Sequence, residues 1–427
     1  MPFAPRAAAL VVAVGALPIV LAMTPGGRPG HAAEVPAITR VVAAGQPAPG
    51  GGSFEHFGVE SLPIVAPVNA RGQVAFYASV LRGRVGEGLY LASGSRIVRV
   101  AADGDAAPGG GTLSGFSRHP VPALNDAGAV VFVAAVSGGR TVEGIFVAAG
   151  GRVRPVAVAG SAAPGVASGT LAAVDAPALN NRGDVAFLAT VRRGRDSIEA
   201  VCLASARGLG KVVAQGDAAP AGGTFAGFGP PALDASGGVV YAAVVDGPAV
   251  PGGIFATEAG QTRMVLGAGD DTPVGGIFAK FSERVAVNDR GAVAFTAVLN
   301  GAAAREGVFL VDRAGVRKIA AAGEAAPGGG VFAHFGAWPA LAADGTVAFT
   351  ASVDGARSDV AIFVATAAGI ARLVSQGDAL PGGGTLLSFG LHPVVSMAPT
   401  GAVTFTTVPT ATGQGSEALF SVSPSAR

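Results

Sequence analysis

Between residues 122 and 160 the apolar and polar positions follow the rhythm of short strands broken by turns. Pro122-Ala123-Leu124 is short and apolar, and Asn125-Asp126-Ala127-Gly128 is a turn. There an Asx side chain can bond the backbone and a glycine can take positive φ. Val130 to Val136 is β-branched and aromatic, Ser137-Gly138-Gly139 interrupts it, and Gly144 to Ala148 is apolar again. Ala149-Gly150-Gly151 turns the chain once more, and Val153 to Val158 makes a fourth strand. A Gly or Pro at every eighth to twelfth position leaves no room for helices and predicts an all-β chain.

The same unit is written seven times, and a period of this length is read before any single element. A Gly-x-x-x-Pro motif stands at Gly45/Pro49, Gly104/Pro108, Gly160/Pro164, Gly216/Pro220, Gly269/Pro273, Gly323/Pro327 and Gly377/Pro381. An Asn-x-x-Gly-x-Val-x-Phe motif ends at Phe76, Phe132, Phe187, Tyr241, Phe295, Phe349 and Phe405. An Ile-Phe-Val-like triplet is centred on Tyr90, Phe146, Cys202, Phe255, Phe309, Phe363 and Phe420. Of the 22 phenylalanines only Phe3 falls outside this register. One four-stranded sheet cannot bury both faces, whereas seven arranged radially stack on their neighbours. The fold expected is a seven-bladed β-propeller with four-stranded blades.

The ring should close through its ends. Residues 37–43 read as a fourth strand ahead of the first repeat, and residues 417–422 as a third strand with no fourth behind it. Pairing the two completes blade seven and removes two open sheet edges. A membrane β-barrel is the rival all-β reading, but its strands should be longer, with alternating turn and loop lengths.

The first 33 residues have a different character. A basic start to Arg6, an uncharged run from Ala7 to Met23 and small residues up to Ala33 follow the order of a secretory signal peptide. Cleavage is expected near Ala32 or Ala33, with a cut after Ala22 as the alternative. An uncleaved anchor would be short for a membrane span. The expectation is therefore a signal peptide over 1–33 and one propeller over 34–427, exported to the periplasm or secreted, with no membrane span in the mature chain.

Composition narrows the chemistry by subtraction. The chain of 427 residues has 29 Lys and Arg against 28 Asp and Glu, so it lacks the basic excess that marks nucleic-acid binding. With 50% hydrophobic and 13% charged residues it is not a charge-driven disordered chain. A single cysteine, Cys202, excludes an internal disulfide and takes a core position in its strand. The Pro-Gly-Gly-Gly runs lead into strands rather than a helix, so the helix N-terminus that would hold a phosphate is missing. The residues after the motif glycine, Asp105, Asp217, Asp270, Asp378 and Glu324, read as turn or inter-blade hydrogen-bonding groups. The cations of the fourth strand, Arg40, Arg99, Arg154, Lys211, Arg263, Arg317 and Arg372, protect exposed edges. Glu87, Glu143, Glu199, Glu306 and Glu417 read as members of local surface ion pairs. No catalytic residues, metal site or cofactor are expected.

The order Pro-Ala-Leu-Asn-x-x-Gly-x-Val-Ala-Phe, then Glu-Gly-Ile-Phe-Val, then a basic strand, resembles secreted bacterial tandem-repeat propellers. It shares its repeat grammar with NHL-type and TolB-like propellers. It is most similar to an uncharacterised bacterial repeat family with Gly-Asp-x-x-Pro and Asn-x-x-Gly-x-Val-Ala-Phe signatures. The resemblance implies the fold over everything after the signal and carries no catalytic residues with it.

Function is sought where the repeat departs from itself. Three residues after the second aromatic of a Phe-x-x-Phe-like pair stand Glu60, His119, Pro177, Pro231, Arg284, Trp338 and His392. One residue before it stand His56, Gly115, Ala173, Gly227, Lys280, His334 and Ser388. In a propeller this segment leads into the innermost strand, at the mouth of the central channel. Glu60, His119, Arg284, Trp338 and His392, extended by His56 and His334, would form one polar wall over blades five, six, seven, one and two. Pro177 and Pro231 leave the opposite wall bland. A few convergent polar groups in a concave setting suit a ligand. The expectation is a non-enzymatic monomer binding a small molecule, glycan or envelope protein at that mouth; the alternative is a propeller lyase or hydrolase.

Overall fold

The computed structural model describes residues 38–58, 65–118, 121–247, 250–390, 393–408 and 417–422. They belong to one compact unit, Pro36–Arg427. Its strands form seven antiparallel sheets, one per repeat, as the periodicity predicts. Among the described residues no helix is long and apolar enough to cross a membrane. In blade five, Ile277–Phe281 and Ala286–Val287 are innermost; Val293–Asn300, Glu306–Asp312 and Gly315–Ala321 follow outward.

Closure is by the N-terminal strand. Ile38–Ala43 pairs antiparallel with Ala418–Val422, from Ile38 opposite Val422 to Ala43 opposite Ala418. The sheet of blade seven thus joins the first strand of the chain to its last.

The repeated motifs do local work. At the Asn-x-x-Gly turn, Asn69 Oδ1 accepts the N–H groups of Arg71 and Gln73. The turn glycine, Gly72, sits at φ 71°, which most side chains avoid. The third glycine of the Pro-Gly-Gly-Gly run is held by space as well: a Cβ on Gly111 would lie 2.5 Å from the Ser137 carbonyl oxygen. The carboxylate after the motif glycine caps its own turn. Asp105 Oδ2 accepts Ala102 N–H, and Asp217, Asp270, Glu324 and Asp378 repeat the bond. Four of these carboxylates also pair with a cation of the preceding strand: Arg99 with Asp105, Lys211 with Asp217, Lys318 with Glu324 and Arg372 with Asp378. The edge cations therefore tie the turn, and in blade five Lys318 does so rather than Arg317.

The aromatics fill the blades and the spaces between them. In blade one Phe54, Phe57, Phe76 and Tyr90 touch with ring centroids 4.9–5.9 Å apart, and all four are buried. Blades four, five and six repeat the cluster around Phe225, Phe278 and Phe332. Such pairs add about 0.5–1.5 kcal/mol each beyond burial. Blade three packs aliphatics instead, with Cys202 buried among Leu171, Val174 and Phe187. Burial pushes the Cys202 thiol up to about 12.

At one end the channel is narrow and lined by both apolar and polar side chains, Asn69, Asn125, Asn180 and Asn288 among them. Val68, Leu124, Leu179, Leu233, Val287, Leu341 and Met397, one from each blade, surround a cavity of about 180 Å³. Around it the turn asparagines reach from blade to blade. Asn69 Nδ2 donates to the Asn125 carbonyl, Asn125 to that of Asn180, Asn180 to that of Asp234, and Asn288 to that of Ala342.

Candidate functional site

The innermost strand of blades five and six is split by a bulge. Phe281 pairs with Ala297 and Ala286 with Ala294, so four residues, 282–285, stand opposite two. In blade six the same holds for residues 336–339 between Phe335 and Ala340. The surplus has sheet on one side only and must loop towards the axis. Blade four has three residues opposite two, and blade three has two opposite one. The bulges of blades five and six lie side by side, and they carry Arg284 and Trp338.

These two side chains meet. The Arg284 guanidinium carbon lies 4.4 Å from the centroid of the Trp338 ring. A cation in this position is attracted by the ring quadrupole, by about 0.5–2 kcal/mol depending on desolvation. The Arg284 bulge is pinned by Ser282, whose Oγ donates to the Arg284 carbonyl and accepts the Thr296 N–H. Burial pulls the Arg284 guanidinium down to about 10, against the opposing pull of the Asp175 carboxylate on blade three. It stays charged at neutral pH, with much of its water removed and the negative charge of Asp175 favouring its protonated form.

His56 and His334 serve another purpose. His56 Nδ1 lies 3.0 Å from Glu417 Oε2, and Glu417 Oε1 accepts the Phe57 N–H at 2.5 Å. His334 Nδ1 lies 2.9 Å from Glu306 Oε1, which also accepts the Phe335 N–H. In both cases a glutamate of one blade reaches the innermost strand of the next. The same staple recurs without an imidazole: Glu87 to Ser117 N–H, Glu143 to Val174 N–H and Glu199 to Phe228 N–H. Sequence reasoning read these glutamates as partners of neighbouring arginines at the surface; in the structure they bind backbone across the seams. Their constancy in five of seven repeats was the available signal.

At the seam of blades one and two the staple is crowded. Glu87 Oε2 also accepts the Tyr77 hydroxyl. Nearby, burial and then the Glu87 charge push the Asp103 carboxyl up to about 6. Burial raises Glu417 above the usual carboxylate range, opposed by its bonds from Phe57 and His56.

Of the candidate residues, Arg284 and Trp338 are brought together, and His56 and His334 belong to seams seven/one and five/six. Glu60, His119 and His392 lie outside the described residues. Asp175, whose charge favours the protonated Arg284, stands at a position that carries no repeat signature. Among the described residues no three of His, Cys, Asp and Glu gather closely enough to hold a metal ion.

The chain belongs to DUF7453, a family of unknown function, which matches residues 84–422. No curated protein matches the sequence. An oligogalacturonate lyase solved in complex with manganese is similar with a TM-score of 0.50 at 13% identity, over 91% of this chain and 98% of its own. The polysaccharide lyase Uly1 gives a TM-score of 0.48 at 10% identity, over 91% and 99%. A puromycin-hydrolyzing peptidase of Mycobacterium tuberculosis gives 0.44 at 13%, over 81% of this chain and 49% of its own. At these identities the likeness is one of fold.

Proposed function

We propose that this DUF7453 propeller binds an anionic ligand in its channel, on the side of blades five and six. The observation that carries the reading is the Arg284 guanidinium, partly stripped of water, held over the only tryptophan of the chain. A desolvated guanidinium binds carboxylate or phosphate more strongly than an exposed lysine, because it presents a planar fork of donors. Trp338 lines a cleft of about 320 Å³ with Pro393 and Val394 of blade seven, which offers the ligand an apolar wall. Glu60, His119 and His392 are proposed as further groups of the same wall. The protein acts as a monomer, exported by residues 1–33, and its mature N-terminus is expected at Ala33 or Glu34 when the exported form is sequenced.

Trp338 is its own reporter. An acidic oligosaccharide, for which an oligogalacturonate is the probe, should change the Trp338 emission saturably, while the neutral galactose counterpart should not. Arg284→Ala should weaken the response about tenfold or more, the loss expected for a charged hydrogen bond. An unchanged emission with the acidic probe, or an Arg284→Ala protein that responds like the parent, overturns the reading. Consumption of the oligosaccharide would instead favour the alternative, a propeller lyase or hydrolase.

A further inference from the structure

At two seams the sequence replaces the staple glutamate. Gly252 holds its place between blades four and five, and Val360 between blades six and seven. A cleft opens at each, of about 370 Å³ and about 320 Å³. The two gaps differ in what faces them. In blade seven the residue before the second aromatic is Ser388, but in blade five it is Lys280. Lys280 therefore occupies the position of His56 and His334, the two side chains that meet a staple carboxylate. At seam four/five the cationic half of that arrangement is kept and the carboxylate half is gone.

We propose that the cleft between blades four and five is a receptor for a small organic acid, whose carboxylate takes the place of the missing glutamate. Three features support it. Ser282 N–H bonds the Thr296 carbonyl, so the ladder bonds flank the Phe281–Ala297 pair and turn the Phe281 N–H away from the sheet. This is the geometry in which Phe228 and Phe335 donate to Glu199 and Glu306. Lys280 lines the cleft and has no ion pair among the described residues. Phe228, Val244, Pro251 and Phe281 supply apolar walls, and Val244 is 58% exposed. The volume lies within the range of small-molecule sites. Glu199 and Glu283 also line the cleft. Glu199 is engaged by Phe228, and Glu283 acts against anions, so it limits affinity. The chain cannot simply regain its own carboxylate here: a Cβ on Gly252 would lie 2.7 Å from the Ala243 carbonyl oxygen.

The probe is benzoate, with benzyl alcohol as its uncharged counterpart, added to the full chain labelled with [15N]phenylalanine. The Phe281 amide resonance is identified by its loss in Phe281→Leu. Benzoate should move this resonance saturably and benzyl alcohol should not. Lys280→Ala should weaken benzoate at least tenfold, Lys280→Arg should hold it within a few-fold, and Glu283→Gln should tighten it. Lys280 is exposed, so these variants keep the fold, which the remaining phenylalanine resonances report. A Phe281 amide that stays still up to the solubility limit of benzoate, or a Lys280→Ala protein that binds as the parent does, overturns the proposal. The readout does not involve Trp338, so its failure is distinct from failure of the channel site.

Discussion

The seam between blades seven and one and the seam between blades four and five are built from the same repeat and are held very differently. At seven/one, Glu417 binds both His56 and the Phe57 N–H, and Thr404 Oγ1 donates to the Ala66 carbonyl. At four/five the place of the glutamate is taken by Gly252, and the residue before Phe281 is Lys280. His56 and Glu417 are 361 residues apart in sequence. Bringing such distant segments together costs the most chain entropy, so specific bonds matter most there. Blades four and five are consecutive, and their apolar packing holds without the staple. A seam that can spare its polar bond is free to offer that bond to a ligand.

The strongest way to break this comparison is to remove the closing strand. Deletion of residues 36–43 should cost several kcal/mol, in the range of the largest single-site effects, and promote aggregation through the opened edge of blade seven. A truncated protein that melts within a degree or two of the intact one would mean that closure does not depend on this strand.

Next in size is the staple itself. Glu417 is 7% exposed, and Glu417→Ala leaves the buried Phe57 N–H without its acceptor. A loss of about 1–3 kcal/mol is expected in denaturant titrations, the cost of an unsatisfied buried donor. A loss near zero would put seam seven/one on a level with seam four/five.

A pH series tests the crowded staple at seam one/two. The folded Asp103 carboxyl is pushed up to about 6, above its ordinary value of 3.8. The folded state therefore binds more protons than the unfolded one between those values. The group's contribution to stability is fully present below about pH 4 and is lost as pH rises through about 6. Asp103→Asn should raise stability at pH 7 by about 1 kcal/mol, the shift discounted for the solvent around a half-buried carboxyl. The gain should vanish by pH 4.

The smallest effect sharpens the comparison from the other side. Val360→Glu should install a staple at seam six/seven, with the innermost strand of blade seven as donor, and stabilise by about 0.5–1 kcal/mol. It should also narrow the cleft beside Trp338 and shift the Trp338 emission. A destabilised protein would show that this seam is shaped against a carboxylate.

Much of the molecule is legible along the chain because it repeats. Seven copies of three motifs specify the number of blades, the turn chemistry and the aromatic core, since each copy meets the same neighbours. The pairing of Ile38–Ala43 with Ala418–Val422 follows from the phase of the repeat alone. Arg284 and Trp338 stand out because they depart from that pattern, and the same departure marked His56 and His334, which turned out to serve the seams. Departure from a repeat shows where packing does not dictate the residue; it does not show what the residue touches.

The sequence by itself determined the all-β propeller, its seven blades and its closure, because these depend on local pattern and nearest-neighbour stacking, which a period encodes. Only the tertiary structure decided the partners. The glutamates cross seams instead of pairing with nearby arginines, the asparagines link blades around the channel, and Arg284 lies over Trp338. Each of these contacts joins residues of different blades, from 28 to 361 positions apart among the described staples. Which atoms meet at such distances is set by the curvature of the ring and the length of each bulge, quantities that no single repeat contains.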